Sequence, residues 1–246
     1  MSSLYKYLTV TSENKDGEPY FYRNVIAKVS IGTKRSESLK SRAKKIEPKL
    51  FLGNETQEFL DFIDNEFEMN LSKRMAKSFE LNRERDLAII ALLLASGIRL
   101  NECVNIDYKD INLNTMLVEV VRKGGHKDSV SIAPFAKPYL EQYMNVRRSK
   151  YQVTDKASEP FFLSIQDKIP KRLGERSIQK LVKKYSQAFK KPTTPHKLRH
   201  TLATRLYQET KNEQLVATQL GHSGTEMVAL YTQITDEEMQ ISLDKL

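Results

Sequence analysis

The chain of 246 residues carries a single cysteine, Cys103, so no internal disulfide can form and an intracellular setting is expected. It has no tryptophan, and its longest apolar run, Leu87–Ala95, falls far short of the roughly 20 residues that a membrane-crossing helix needs. The opening MSSLYKYLTV is too polar, and its apolar run too short, for a secretory leader. No membrane association is expected, and the location read from the sequence is cytoplasmic. Long repeats and low-complexity segments are absent as well. Acid is in short supply: 31 Asp and Glu against 40 Lys and Arg leave a net charge of +9, which favours a polyanionic partner. With 39% hydrophobic and 29% charged residues, the chain has the composition of a globular protein, long enough for one large domain or a domain with an appendage.

Residues 1–53 read as the remnant of a domain. A turn is expected at Asn14–Pro19, where Asn, Asp, Gly and Pro cluster. From Arg23 to Lys49, nine basic residues face only Glu37 and Glu47, the pattern of a segment that tracks a nucleic-acid backbone. Residues 54–246 read as the main domain. Asn54 and Gln57 suggest a capping box, followed by an acidic helix with Phe59, Phe62, Ile63 and Phe67 at helical spacing. A second helix, expected from Asn82 to Gly97, is apolar nearly all round and therefore buried. Met116–Arg122 and Asp128–Ala133 read as strands of a hairpin about Gly124–Gly125. Further helices are expected over Pro138–Tyr151, from a cap at Ser177, and after Pro195. Around Ser177 lies a second basic run, from Lys168 to Lys191. A helix should end at Gly221. Ser223 with Glu226 and Thr235 with Glu238 suggest caps for two last helices, the first carrying Tyr231 and the second ending in Met239, Leu243 and Leu246. The result is a mainly α fold with a small antiparallel β-sheet.

Within Pro195–Gln233, His196 and Arg199 share a helix face, His222 follows a glycine at a helix end, and Tyr231 lies nine residues on. Two imidazoles, a guanidinium and a phenol suit the holding and attack of a phosphodiester. Guanidiniums stay charged and can donate paired hydrogen bonds to non-bridging oxygens, a role that falls to Arg199 and to Arg99, just beyond the buried helix. The H-x-x-R of His196–Arg199, the L-G-H of Leu220–His222, and Tyr231 together resemble the C-terminal signature of the tyrosine recombinases, the phage integrase family. GIRLNE, with Arg99 and Glu102, matches a second box of that family, and RKGGHKD, with Lys123, a third. The wider wording from EPYFYRNV through TPHKLRHTLATRLY resembles the Xer branch.

The resemblance implies the DNA breaking-rejoining enzyme fold and a site of Arg99, Lys123, His196, Arg199, His222 and Tyr231, supported by Glu102. Tyr231 would attack phosphorus to give a 3′-phosphotyrosyl link and a free 5′-hydroxyl. Lys123, with Lys127 as the rival, would protonate the leaving oxygen. His196 would accept the tyrosine proton, and Glu102 would orient its neighbours. No cofactor and no metal are implied. The spacing of His196 and His200 could suit a metal, but Lys and Arg between them oppose a cation, and His200 reads as a packing residue. The implied partners are a double-stranded recombination site, three further copies in a tetramer, and a DNA translocase of the FtsK type, with chromosome-dimer resolution as the task. Residues 1–53 would be what is left of the family's N-terminal core-binding domain. The alternatives are a non-catalytic DNA-binding module, the integrase or transposase of a mobile element, or a topoisomerase-like relaxing enzyme.

Overall fold

The computed structural model describes residues 2–22, 37–221 and 228–235. The capping pairs expected at residues 223–226 and 235–238, the terminal helix, and the first half of the basic stretch fall outside this set. The chain divides into two compact units, Met1–Ser38 and Leu39–Leu246, earlier than the residue 53 boundary expected from the sequence. In the first, helix α1 (Ser2–Lys6) runs into a π-helical turn, Tyr7–Thr11. The expected turn at 14–19 is present, closed by a bridge between Glu13 and Pro19 and by the Asn14 side chain, which accepts from the Asp16 and Glu18 amides. Tyr5 stacks on Phe21 at 5.7 Å.

The second unit is helical, with helices α2 (Leu39–Ile46), α3 (Glu55–Asp61), α4 (Lys73–Ser96), α5 (Leu100–Val104), α6 (Lys137–Tyr151), α7 (Glu175–Ala188), α8 (Pro195–Thr210) and α9 (Glu213–Leu220), and a last helical segment at 229–235. Strands β1 (Ile111–Asn112), β2 (Leu117–Val121) and β3 (Lys127–Ser131) form one antiparallel sheet, and β4 (Leu163–Gln166) and β5 (Ile169–Arg172) form a separate hairpin.

α4 is the axis of the unit. Every residue from Leu87 to Ala95 is at most 2% exposed, so the helix touches neighbours all round, among them α3, α5, α6, α7 and α8. Burying each large aliphatic side chain there contributes about 1.5–3 kcal/mol. The helix starts at Lys73, nine residues before the expected Asn82, whose amide instead donates to the Ser78 carbonyl. It stops where the sequence says it should: Gly97 takes the left-handed conformation (φ +64°), and its N–H closes on the Leu93 carbonyl at 3.1 Å.

Two other expected caps are not used. Asn54 has helical backbone angles and makes no side-chain cap; the Glu55 carboxylate instead accepts from the Leu52 amide at 3.1 Å. α7 begins at Glu175 behind Gly174, leaving Ser177 inside the helix. The β2–β3 hairpin pairs Val118 with Val130 and Val121 with Lys127, and its turn places Gly124 and Gly125 at φ +99° and +84°.

Candidate active site

Pro195 fits the first turn of α8, where its missing N–H costs nothing. One turn of that helix carries His196 and Arg199 into the wall of a cavity of about 480 Å³, whose polar lining also includes Arg99, Gln179, Lys183, Thr193 and Thr194. Three of the expected site residues therefore meet in one place, although residues 99 and 199 lie far apart in the chain.

Arg199 is 4% exposed. Its Nη1 donates to the Gly97 carbonyl at 2.6 Å and its Nη2 to the Leu220 carbonyl at 2.6 Å. Both acceptors sit at helix C-termini, where carbonyls lack helical partners and the macrodipole is negative. Arg99 stands at the N-cap of α5. Glu102 turns back on it, taking its amide on Oε2 at 2.7 Å and its Nη1 on Oε1 at 3.0 Å, while its Nη2 reaches the Gly221 carbonyl at 3.4 Å. A third guanidinium, Arg122, reaches the Gln219 carbonyl at 3.4 Å and pairs with Glu102 and Asp128, each at 3.0 Å. Three successive carbonyls at the end of α9 thus face three different arginines.

This density of positive charge shifts its members. The Arg199 guanidinium is pushed down to about 10, first by burial and then by Arg99, and still holds its proton at neutral pH. Burial, then Lys197, Arg199 and Arg99, hold the His196 imidazole below its ordinary value, so at neutral pH it is an uncharged group able to accept a proton. Lys197 itself is lowered, by burial and then by Lys49 and Arg42, which marks a basic cluster beside α2.

Tyr231 belongs to the helical segment 229–235, clamped on two sides. Leu230 and Ile234 pack on Ala43, Ile46 and Leu50, at and just after α2. Val228 and Tyr231 pack on Ala203 of α8 and on Val216, Ala217 and Leu220 of α9. The Tyr231 ring is 1% exposed, with its hydroxyl 3.0 Å from Nδ1 of His200. Burial raises the phenol to about 12, against the opposing pull of Arg199. His200 is therefore more than the packing residue expected: it is the polar partner of the candidate nucleophile, and its ring lies 4.5 Å from that of His196, edge to face. Its Nδ1 is engaged with Tyr231 rather than left free for the metal pair that the spacing allowed.

The remaining residues are less gathered. Lys123 is exposed at the hairpin tip and does not line the cavity; Lys127, its rival, is an exposed residue of β3 whose backbone lies in the ladder. His222 lies outside the described residues, one step past Gly221, whose φ of +61° closes α9. Among the described residues, no three His, Cys, Asp or Glu side chains gather as metal ligands, and no helix is long and apolar enough to cross a membrane. Sequence reasoning passed over Arg122 and underrated His200. The signal for Arg122 was the opposite charge at the other foot of the hairpin in RKGGHKD; His200 had none beyond its place beside Arg199.

Residues 54–238 match the model of the phage integrase family. The whole chain is 59% identical to the tyrosine recombinase XerS of Streptococcus mutans serotype c (strain UA159), and equally to XerS of Lactococcus lactis subsp. lactis (strain IL1403), spanning 68% of the length of each. Among solved structures, the fold is similar to XerH bound to a palindromic difH substrate in a post-cleavage complex (TM-score 0.69, 20% identity, 98% of this chain and 63% of that one). It is also similar to XerA (TM-score 0.55, 23% identity, 71% of this chain and 62% of that one). The chain thus belongs to the phage integrase family, and its identity to XerS places it among the site-specific DNA recombinases of the Xer type.

Proposed function

We propose that this chain cuts and rejoins double-stranded DNA at a recombination site through a 3′-phosphotyrosyl intermediate. The observation that carries the reading is the convergence of Arg99, Arg199 and an uncharged His196 on one cavity, with the His196 ring 4.5 Å from that of His200, the partner of the buried Tyr231. The two guanidiniums hold the non-bridging oxygens of the scissile phosphate and stabilise the extra charge of the pentavalent transition state. For the reaction, the Tyr231 ring leaves the crevice between α8 and α9, gives up its contact with His200, and enters the cavity. Its Oη forms the bond to phosphorus while the bond from phosphorus to the 5′-oxygen breaks. The phenol proton passes to His196, and Lys123 donates a proton to the 5′-oxygen as it leaves. His222 adds a hydrogen bond to the phosphate. Attack of another strand's 5′-hydroxyl on the phosphotyrosine reverses these steps, so the bond energy is kept and no nucleotide cofactor is needed.

The basic cluster of Arg42, Lys49 and Lys197, with Lys183 in the cavity wall, supports the DNA reading. Recombination in a tetramer is part of the proposal. A second cavity, of about 710 Å³, is lined by Ile132, Pro134, Leu202, Leu206 and Leu215 on the face made by α8, α9 and the end of β3. Its apolar lining suits the tail of a neighbouring copy, where Met239, Leu243 and Leu246 are apolar. We further propose that the task is resolution of chromosome dimers in the cytoplasm, with an FtsK-type DNA translocase as partner.

A nicked suicide substrate tests the reading. A covalent adduct with the chain, absent in Tyr231→Phe, supports it; binding with no adduct on any candidate site points to a DNA-binding module, and relaxation of plasmids of any sequence to a topoisomerase-like enzyme. Binding itself should weaken by ~10³–10⁵ between low and moderate salt if about six to ten phosphates are contacted.

A further inference from the structure

We infer that Arg122 is a positioning residue that fixes the Lys123 hairpin against the Arg99 site, so that its loss disables delivery of the proton to the leaving 5′-oxygen. The inference deepens the proposed function and rests on its assignment of Lys123 as the acid.

Arg122 is the last residue before Lys123 and the hairpin tip. Its side chain is 10% exposed. Nη1 pairs with Glu102 Oε2 at 3.0 Å, Nε with Asp128 Oδ2 at 3.0 Å, and Nη2 reaches the Gln219 carbonyl at 3.4 Å. One guanidinium thereby ties together both strands of the hairpin, the α5 segment that carries Arg99, and the end of α9 that leads to His222. Its backbone also closes the turn, donating to the His126 carbonyl at 2.8 Å and accepting from the Gly125 amide at 3.0 Å. Glu102 is shared between Arg122 and Arg99, so a single carboxylate sets the distance from the hairpin foot to the phosphate-binding arginine. Space is reserved for the guanidinium: a Cβ on Gly221 would lie 2.7 Å from Arg122 Cζ.

Beyond this anchor, Lys123 leads directly into two glycines with positive φ and is exposed. A long side chain on such a turn has little order of its own, and proton transfer needs it within hydrogen-bond reach of the 5′-oxygen. A misplacement of about 1 Å can cost ~10²-fold in rate. Lysine at position 122 would keep the charge but could not span Glu102, Asp128 and Gln219 at once.

The test is single-turnover adduct formation on two nicked duplexes, one with an ordinary scissile phosphate and one with sulfur replacing the bridging 5′-oxygen. A thiolate leaves without being protonated, so only defects in the acid are relieved. Arg122→Gln should slow cleavage of the ordinary duplex by about 10²-fold and recover to within a few-fold of the parent on the sulfur duplex, as Lys123→Ala should, while Arg199→Lys should stay slow on both. Because the two duplexes are compared on one protein sample, a loss of folded material cancels in the ratio. Asp128→Asn, at a half-exposed carboxylate, should show a smaller defect with the same recovery. If Lys123→Ala recovers and Arg122→Gln does not, or if Arg122→Gln cleaves the ordinary duplex at the parent rate, the inference is overturned alone. If Lys123→Ala itself stays slow on the sulfur duplex, the assignment of the acid fails and the inference with it.

Discussion

Gly97→Ala adds one methyl group at the point where the buried axis helix hands the chain to Arg99. Two separate costs follow. The backbone at φ +64° is one that a residue with a Cβ adopts at about 1–2 kcal/mol. The new Cβ would also stand 2.8 Å from Leu202 Cδ2 and 3.0 Å from Leu220 Cδ2. Leu202 is partly exposed and can turn away, but Leu220 is fully buried and cannot, so overpacking adds about 1–3 kcal/mol. The expected total is about 2–5 kcal/mol, a fall in Tm of roughly 4–20 °C for a domain of this size. Gly53→Ala isolates the first cost, since Gly53 also has a left-handed φ (+54°) but nothing within 4 Å of the added methyl; it should lose only about 1–2 kcal/mol. Catalysis should suffer further. The carbonyls of Gly97 and Leu220 both accept from Arg199, and the clash pushes on both. Adduct formation, measured at a temperature where both variants are folded, should drop by about 10–10²-fold in Gly97→Ala and stay at the parent rate in Gly53→Ala. Equal thermal losses in the two variants, with equal cleavage rates, would mean that neither Leu220 nor the hold on Arg199 feels the added methyl.

Arg199→Lys should lower adduct formation by about 10²–10³-fold, because one ammonium cannot serve two carbonyls and offer a planar fork to phosphate; a gel shift within a few-fold of the parent would place the loss in the chemical step. Tyr231→Phe should be less stable than the parent by about 1 kcal/mol near pH 7, where the contact with His200 is lost. That gap should close and reverse as pH rises from 10 to 12. Burial lifts the parent phenol from about 10 when unfolded to about 12 when folded, so its extra stability is complete below pH 10 and fades through pH 12, an effect of about 3 kcal/mol when fully developed. Urea unfolding at a series of pH values reads the crossing, and a gap that stays constant to pH 12 would contradict the burial of this phenol.

The parts of the fold written in the sequence are those set by local rules. Gly97 and Gly221 end helices because only glycine takes their backbone cheaply, and the stretch around Leu87–Ala95 is buried because it has no polar face. The β2–β3 hairpin was legible from its glycine pair. The β4–β5 hairpin was not, because Asp167 and Lys168 take left-handed φ (+52° and +64°) without any glycine to announce it. Asn54 and Ser177 failed as caps although they carry the right oxygens, since capping needs an extended backbone, and Glu55 and Gly174 captured the helix starts. In the candidate site, Arg99, His196 and Arg199, which line one cavity, stood in the boxes that carry the family resemblance. The links of Arg122 to Gln219, 97 residues on, and of His200 to Tyr231, 31 residues on, exist only once α9 and segment 229–235 are packed. No local pattern encodes them.

In the proposed reaction the Tyr231 oxygen becomes joined to DNA. Protease and nuclease digestion of the trapped adduct, followed by mass spectrometry, tests it directly. One peptide should be found whose residue 231 carries a nucleotide through a 3′-phosphate on the phenol oxygen. A nucleotide found on any other residue, or an adduct that persists in Tyr231→Phe, would contradict it.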